Sequence, residues 1–218
     1  MHEWAKVLNI CGQVDVIFLD FAKAFDSVPP ARLLLKARHY GIRGKLNEWL
    51  RDFLSDRWQR IVVNGSSGVP QGTILEPVLF LLYINDLPTG ISSEVRLFAN
   101  NTVLFRQICC PDDHHRLQHD LHQLEQWAAK WQMRFAPTKS FVLSVTLRTN
   151  SSPFSYRLCD TGLDEVKYYK YLGVYITRSL RWSLQCEEVN TWQKKFCVFS
   201  RGTFHLATGR SSREPTLV

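Results

Sequence analysis

Several features are scarce or missing in this 218-residue sequence, and each absence removes a class of protein. The longest uncharged apolar run covers residues 78–84, whereas a helix that crosses a bilayer needs about 20 such residues. No internal repeat or low-complexity tract is visible, which excludes solenoid, collagen and coiled-coil architectures. The first residues lack a basic start followed by an apolar stretch, so we expect neither a secretory signal nor membrane association.

Cysteine usage indicates a reducing compartment. The six cysteines form no Cys-x-x-Cys pair, the spacing that is typical of structural zinc sites. A chain of this length buries a core without disulfide staples, so buried, reduced thiols are the expected state. These features predict an intracellular protein, either nuclear or cytoplasmic.

Positive charge is in excess, with 27 Lys and Arg against 20 Asp and Glu, a net charge of +7 and a pI near 9.2. Such a surplus favours a polyanionic partner, of which nucleic acid is the commonest. Residues 178–218 hold seven Lys or Arg against three Glu, interleaved with aromatic residues. Cations among aromatics suit phosphates and stacked bases, although an amphipathic helix with solvated cations explains the same pattern.

Hydrophobic periodicity predicts strands and helices that follow each other without regular alternation. The predicted strands are 14–19, 59–64, 95–98, 103–105, 141–147 and 171–176; the predicted helices run from Pro29 or Pro30 to Tyr40, over 45–54 and 74–87, from a cap at Asp112 or Asp113 to Trp131, and over 184–199. The turn 99–102 joins two strands into a hairpin, because asparagine tolerates left-handed backbone angles. This pattern predicts an α+β fold, a mixed or antiparallel sheet with helices packed on one face.

Two groups of residues are candidates for metal binding. Asp20 ends a buried strand, where a carboxylate is partly desolvated and suits a divalent cation, although one aspartate in that place is more often a cap. His115, His119 and His122 share a helical face that suits zinc, but their polar neighbours favour a solvated face.

Five ordered blocks carry a family resemblance. They are Asp20-Phe-Ala-Lys-Ala-Phe-Asp26, Ser67-Gly-Val-Pro-Gln-Gly72, Tyr83-Ile-Asn-Asp-Leu87, Leu97-Phe-Ala-Asn-Asn101 and Trp131-Gln-Met-Arg-Phe135, followed by Lys139 and Tyr171-Leu-Gly173. Over residues 10–200 the sequence resembles the palm of non-LTR (LINE-type) retrotransposon reverse transcriptases. The resemblance implies a polymerase palm with a catalytic hairpin, and a reaction in which an RNA-directed DNA polymerase joins a dNTP to a primer 3′-hydroxyl.

The resemblance also implies a role for individual residues. Asp20 matches the first metal-binding aspartate, and Lys139 lies near the position that assists the leaving pyrophosphate. Nucleotide and template contacts are implied for Phe21, Phe25, Gln71 and Gly72, and a primer grip for Leu172 and Gly173. The implied partners are an RNA template, a DNA primer and a dNTP, and the implied cofactor is Mg²⁺.

One departure from the family pattern concerns charge at the hairpin tip. Active members carry two aspartates where this chain has Asn100 and Asn101. With Asp20 alone the site carries one negative charge instead of three, and an amide oxygen brings no net charge to neutralise two dications. We therefore expect impaired magnesium binding and lost polymerase activity.

The resemblance predicts a palm over residues 1–178, with the fingers mostly absent, and a partial thumb with a basic helix and tail over 179–218. Two alternatives to an RNA-directed DNA polymerase remain open at this stage. The chain is a nucleic-acid-binding module without catalysis, or it is a decayed copy of a retrotransposon without a selected role.

Overall fold

A run of apolar, mostly β-branched residues forms the central strand of the molecule. The computed structural model describes Trp4 and residues 12–55, 75–147 and 154–191. Strand β1 (Gln13–Asp20) is buried at every position except Asp20, which is half-buried. A strand that is buried on both faces has a continuous apolar sequence rather than an alternating one. This continuous run is the pattern from which the strand was predicted.

Among the described residues, the main sheet has five strands, which are, in order across the sheet, β2 (Glu94–Phe98), β3 (Asn101–Gln107), β1, β4 (Phe141–Thr146) and β7 (Asp164–Glu165). Each adjacent pair among the first four strands is antiparallel, whereas β7 is parallel to β4. The predicted mixed sheet is therefore confirmed. Both edges of β1 are paired, which fixes the position of its last residue, Asp20.

Within the described part of the first 167 residues, four helices pack against the apolar core. They are α1 (Pro30–His39), α2 (Lys45–Ser55), α3 (Leu75–Ile84) and α4 (Pro111–Trp131). All four contribute to one buried cluster that also contains Ile17 and Leu19 of β1. Alternate residues of a strand face one side of the sheet, so the helices cover the side to which Ile17 and Leu19 point, and the predicted α+β arrangement is confirmed.

The start of α4 differs from the prediction. The cap is Cys110 rather than Asp112 or Asp113, and Asp113 occupies the third helical position. The Asp113 carboxylate accepts hydrogen bonds from the backbone N–H groups of Cys109 and Cys110 at 2.9 and 3.0 Å. It therefore satisfies donors at the helix start from inside the first turn, as the acidic member of a capping box does.

The chain divides into two compact units, residues 1–167 and 168–218. In the second unit, β8 (Tyr168–Tyr171) and β9 (Val174–Thr177) form an antiparallel hairpin, and residues 183–191 are helical. The single strand expected over 171–176 is therefore wrong, because the chain turns at residues 172–173. In the first unit, β5 (Arg157–Leu158) and β6 (Thr161–Gly162) form a short hairpin before β7.

Some predicted elements lie outside the described residues. These are the strand 59–64, the Ser67–Gly72 block and the part of the last helix beyond residue 191. The proposed boundary between palm and thumb at residue 178 stays a prediction. Among the helices of the described part, none is long and apolar enough to cross a membrane.

Candidate active site

The end of β1 meets the tip of the β2–β3 hairpin. Asp20 is paired with Asn101 across the antiparallel ladder, and the Asn100 side chain donates a hydrogen bond from Nδ2 to Asp20 Oδ1 at 2.8 Å. Asp20 therefore lies beside two asparagines that follow it by 80 and 81 positions in the sequence, as the family resemblance implied.

The hairpin turn itself is shorter than expected and uses a different residue for its left-handed position. Phe98 pairs with Asn101, so the turn consists of Ala99 and Asn100 alone. Ala99, with φ 50°, adopts the left-handed angle that we assigned to asparagine. A non-glycine residue in that region costs about 1–2 kcal/mol, which the pairing of the two strands must offset.

A second backbone segment closes the site from the other side of Asp20. The N–H of Ala136 donates to the carbonyl of Asp20 at 2.8 Å, and Phe135 forms an isolated antiparallel bridge with Phe21. A short 3-10 helix (Pro137–Lys139) follows. It places Lys139 Nζ 4.0 Å from Asp20 Oδ2, with the lysine side chain 71% exposed.

The charge at this site is close to balanced. The Asp20 carboxylate receives an amide N–H on one oxygen and faces an ammonium group on the other. Two magnesium ions about 3.5–4 Å apart need several bridging carboxylates. Within the residues that the structure describes, no group of three or more His, Cys, Asp or Glu side chains is placed to hold a metal ion, so the donor set at Asp20 does not fit the pair of ions that the family resemblance implies.

Two aspartates elsewhere in the sequence do not supply the missing charge. Asp15 lies on β1 five residues before Asp20, so its side chain points to the opposite face of the sheet. There it is 1% exposed and accepts a hydrogen bond from the Tyr156 hydroxyl at 2.7 Å. Asp86 is bound to Lys36 and Trp127 instead.

The two phenylalanines after Asp20 occupy different environments. Phe21 is 2% exposed and its ring stacks on Phe135, with ring centroids 4.5 Å apart. Phe25 is only partly buried, and its ring packs against Phe80 at 4.9 Å. Phe25 therefore presents part of its ring outside the core, whereas the Phe21 side chain is core.

The remaining predicted site residues lie outside the described residues or belong to the second unit. Gln71 and Gly72 lie outside the described residues. Leu172 and Gly173 form the turn of the β8–β9 hairpin in the second unit, both at positive φ, 49° and 83°. Their tight turn is the geometry that glycine at the second position allows.

His115, His119 and His122 of α4 contact either residues of their own helix or the ring of Phe154. His119 hydrogen-bonds Gln123 at 2.9 Å, His122 hydrogen-bonds Glu125 at 3.1 Å, and the His115 ring packs against Phe154. These partners fit the solvated polar face that the neighbouring residues favoured.

Sequence reasoning missed a buried lysine next to the core. Lys36 is 4% exposed, donates to Asp86 Oδ1 at 2.5 Å, and lies 3.8 Å from the ring of Trp131. Burial lowers the pKa of Lys36, although the hydrogen bond that Lys36 donates to Asp86 opposes this shift. Asp86 belongs to the Tyr83–Leu87 block, for which the family resemblance supplied no role, and no sequence pattern connected that block to Lys36.

The sequence of this chain is similar to those of known proteins. Residues 9–176 match the family model of reverse transcriptase (RNA-dependent DNA polymerase). The chain is 29% identical over 190 residues to a probable RNA-directed DNA polymerase from transposon X-element of Drosophila melanogaster, covering 80% of this chain and 21% of that protein. It is 30% identical over 183 residues to the RNA-directed DNA polymerase from mobile element jockey of the same species, covering 76% and 20%.

A solved structure shares the fold. Apo telomerase from Candida tropicalis, truncated from its C-terminal domain, superposes with a TM-score of 0.53 at 11% identity, covering 83% of this chain and 38% of that one. The chain spans about a fifth of the length of the curated relatives. The expected resemblance and palm fold are confirmed: the chain belongs to the reverse transcriptase (RNA-dependent DNA polymerase) family, as a reverse transcriptase domain of the non-LTR retrotransposon type.

Proposed function

We propose that this chain is a reverse transcriptase palm that still holds an RNA template paired with a DNA primer but no longer joins nucleotides. In the reaction of an active polymerase, the primer 3′-hydroxyl attacks the α-phosphate of a dNTP, a new P–O bond forms, and pyrophosphate leaves. That reaction depends on carboxylates that hold two metal ions around the reacting phosphate. The proposal separates the surface that binds nucleic acid from the acids that carry the chemistry.

The hydrogen bond between Asn100 Nδ2 and Asp20 Oδ1 is the observation that carries the proposal. In an active centre that carboxylate oxygen is needed as a ligand, and a carboxylate in place of Asn100 would share a cation with it. Here the two side chains satisfy each other directly, and Lys139 balances the remaining charge at 4.0 Å. Two uncharged asparagines replace the acids, and Lys139 faces the one remaining carboxylate, so the site has no electrostatic need for a metal ion.

The surface around the site retains groups that suit a nucleotide or a primer strand. Phe25 follows Asp20 by five positions in the sequence and is a partly exposed aromatic residue, and we assign it the contact with the nucleotide sugar. We assign the template contact to Gln71 and Gly72 and the primer grip to Leu172 and Gly173, from the family resemblance alone. Phe21 supports the site from inside the core, because its ring stacks on Phe135.

Primer extension on an RNA template tests the loss of catalysis. We expect no extension by the unmodified chain with Mg²⁺ or with Mn²⁺, in reactions where an active reverse transcriptase extends the same primer. Losing one preorganised donor at a transition state costs about 10²–10³ in rate, and losing two charged metal ligands costs more. Extension by the unmodified chain at a rate within 10³-fold of the active enzyme contradicts the proposal.

Binding of an RNA–DNA hybrid tests the retained function. We expect the chain to bind a labelled hybrid with an affinity that falls steeply as salt rises, because neutralised phosphates release counterions. The binding should be the same in Mg²⁺ and in EDTA, since the proposed site has no metal requirement. Absence of binding, together with a non-cooperative melting transition, favours a decayed copy instead.

A further inference from the structure

One of the two most basic segments of the chain forms two helices that contribute none of the residues of the candidate active site. Between residues 32 and 55 the sequence holds six Lys or Arg and two Asp or Glu, a net charge of +4 in a chain whose total is +7. Of those six cations, Lys36 is buried and paired with Asp86. The other five lie at least partly exposed on α1, on α2 and in the loop between them.

Three of these cations surround a hollow of about 470 Å³ at the corner where α1 passes into α2. We call this hollow the arginine notch; its charged and polar lining is Arg38, His39, Arg43, Asn47, Glu48 and Arg51. Glu48 is the acidic residue of this lining, and it lies in the first turn of α2, where a carboxylate stabilises the helix. Three guanidinium groups against one carboxylate leave the notch positive.

Two of the three guanidinium groups are anchored by hydrogen bonds within the chain. Asn47 is 2% exposed, and its Oδ1 accepts a hydrogen bond from Arg38 Nε at 3.1 Å. Its Nδ2 is in turn anchored to the carbonyl of Leu34 at 3.4 Å. Arg43 Nε donates to the carbonyl of Arg38 at 3.3 Å. In both arginines the anchor uses Nε, which leaves the two terminal nitrogens available for a ligand.

A planar guanidinium with free terminal nitrogens binds phosphate oxygens through two parallel hydrogen bonds, whereas an ammonium group acts as a point charge. Anchoring through Nε also reduces the rotamer freedom that binding would otherwise remove. Two anchored forks and a third arginine around one concave surface therefore form a preorganised receptor for an oxyanion. The buried Asn47 is the residue that makes this a built site rather than a chance cluster of surface charge.

We propose that the arginine notch binds backbone phosphates of the RNA strand, as a second contact that uses none of the residues of the candidate active site around Asp20. The inference rests on the proposed retention of nucleic-acid binding, which makes RNA the polyanion available to this chain. α1 has ten residues and is about 15 Å long, and the notch lies at its C-terminal end. The contact is with phosphate and not with bases, so it adds affinity without sequence preference.

Salt-dependent binding of a labelled, 30-nucleotide single-stranded RNA tests the notch. Each phosphate contact on a single strand contributes about 0.7 to the slope of log K against log salt. Replacing all three notch arginines by glutamine, Arg38→Gln with Arg43→Gln and Arg51→Gln, should lower that slope by about 2 and weaken binding at least 10-fold near 150 mM salt. The matched control replaces three exposed cations elsewhere, Arg116→Gln with Lys130→Gln and Arg157→Gln, and lowers the net charge equally.

The outcomes separate this proposal from the proposed function. A notch variant with the slope of the unmodified chain, or a control variant with an equal loss, overturns the notch while leaving RNA binding intact. An unmodified chain that binds no RNA overturns both. A second variant that keeps charge, Arg38→Lys with Arg43→Lys and Arg51→Lys, should retain the slope but lose several-fold in affinity, because it lacks the forks; unchanged affinity in that variant contradicts the notch.

Discussion

At the scale of single residues, the exchange of aspartate for asparagine keeps the shape of a side chain and changes its charge. An amide carries two donors as well as an acceptor, so Asn100 donates to Asp20 at a distance where two carboxylates would repel. The exchange therefore makes the hairpin tip stable without a cation. An internal hydrogen bond lies at the position where the family resemblance implies metal-binding acids.

Restoring both acids should make the stability of the chain depend on magnesium. In the variant Asn100→Asp with Asn101→Asp, three carboxylates meet at the end of β1, and we expect a lower melting temperature in EDTA. Added Mg²⁺ should reverse the loss, by about 2.7 kcal/mol when its concentration is 100 times its Kd. The unmodified chain should melt at the same temperature in Mg²⁺ and in EDTA, as followed by circular dichroism.

The control for this variant places the same two charges away from Asp20. Asn85 and Asn190 are exposed, and Asn85→Asp with Asn190→Asp should show no magnesium-dependent change in melting temperature. An equal response in both double variants attributes the effect to net charge. The absence of any response in the restored variant shows that Asp20 and two acids do not suffice for a metal site.

The contacts of a residue can be predicted from the sequence only when a motif or a periodic pattern indicates which residues lie beside it. The Asp20–Asn100 contact was predictable, because both residues belong to ordered motifs whose positions the family resemblance fixes. The Lys36–Asp86 pair was not, since the two residues lie 50 positions apart and a lysine among apolar residues of a helix looks like a solvated charge. Phe21 was assigned to nucleotide contact from its motif, and no local pattern distinguished it from the partly exposed Phe25.

Replacing the buried lysine should destabilise the protein. Lys36→Met keeps the length of the side chain but removes the cation that faces Asp86 and the rings of Trp127 and Trp131. Breaking a fully buried pair costs about 3–5 kcal/mol, and because Asp86 remains 34% exposed to water we expect about 2 kcal/mol in urea unfolding. Lys45→Met, at an exposed position of α2, should change the free energy of unfolding by less than about 0.5 kcal/mol.

At the scale of elements, a polar network joins the β2–β3 hairpin to helix α4. The Asp120 carboxylate of α4 is 1% exposed and accepts hydrogen bonds from the backbone N–H groups of Ser92 and Ser93 at 3.1 and 2.7 Å, just before β2 begins. Arg106 of β3 donates to the hydroxyls of the same two serines. Both strands of the hairpin are thus tied to α4, which limits the movement of the tip that carries Asn100.

The contribution of this network should vanish in acid. Burial raises the pKa of Asp120, but the hydrogen bonds from Ser93 and Ser92 outweigh it and hold the pKa below its usual value of 3.8. A carboxyl whose folded pKa is lowered adds stability that is present above the unfolded pKa and is lost as pH falls through the folded value. Asp120→Asn should therefore destabilise the chain at pH 7, and its difference from the unmodified chain should shrink below pH 3.8.

Urea unfolding at pH 7, 5 and 3 measures this difference. Asp112, also on α4, is exposed, and Asp112→Asn serves as the control with little change at any of these values. If the Asp120→Asn difference is as large at pH 3 as at pH 7, packing around the side chain and not its charge accounts for the loss.

Periodicity predicted the elements whose burial is regular and failed where a turn lies inside an apolar run. Strand β1 and helix α4 were located because their apolar residues follow the periods of a buried strand and of a helix. Residues 171–176 contain mostly apolar side chains, so the sequence favoured one strand, but the left-handed Leu172 and Gly173 divide them between β8 and β9. The turn-forming glycine carried the signal, and the apolar pattern on both sides obscured it.

At the scale of the whole molecule, the first compact unit contains the complete main sheet. Its last strand, β7, ends at Glu165, two residues before the division at Lys167. The four helices named above and the residues of the apolar cluster also lie within it. The contacts that place Asn100 beside Asp20 are therefore made inside one unit, and the fold of the site needs no strand from the second.

Tyr156, near the end of the first unit, connects that end to the central strand and to α4. Tyr156 is 1% exposed, and its hydroxyl donates a hydrogen bond to Asp15 on the central strand at 2.7 Å. The same hydroxyl oxygen lies 2.8 Å from His114 Nδ1 on α4. Removing this residue leaves Asp15 buried without one of its donors. An unsatisfied buried acceptor costs about 1–3 kcal/mol, and more when it is charged, in addition to the loss of the buried ring.

The division at Lys167 and the contacts of Tyr156 predict where the chain can be shortened. A chain of residues 1–167 should unfold in urea in one cooperative transition, because it keeps β7 and Tyr156. A chain that stops at residue 146 keeps the first four strands of the sheet but loses both, and it should unfold gradually, with a smaller dependence on urea concentration. Since both shortened chains lack the second unit, the comparison isolates residues 147–167. Equal, gradual unfolding of the two chains would mean that the first unit does not fold by itself, whereas equal cooperativity would mean that Tyr156 and β7 merely cover a core that is already complete.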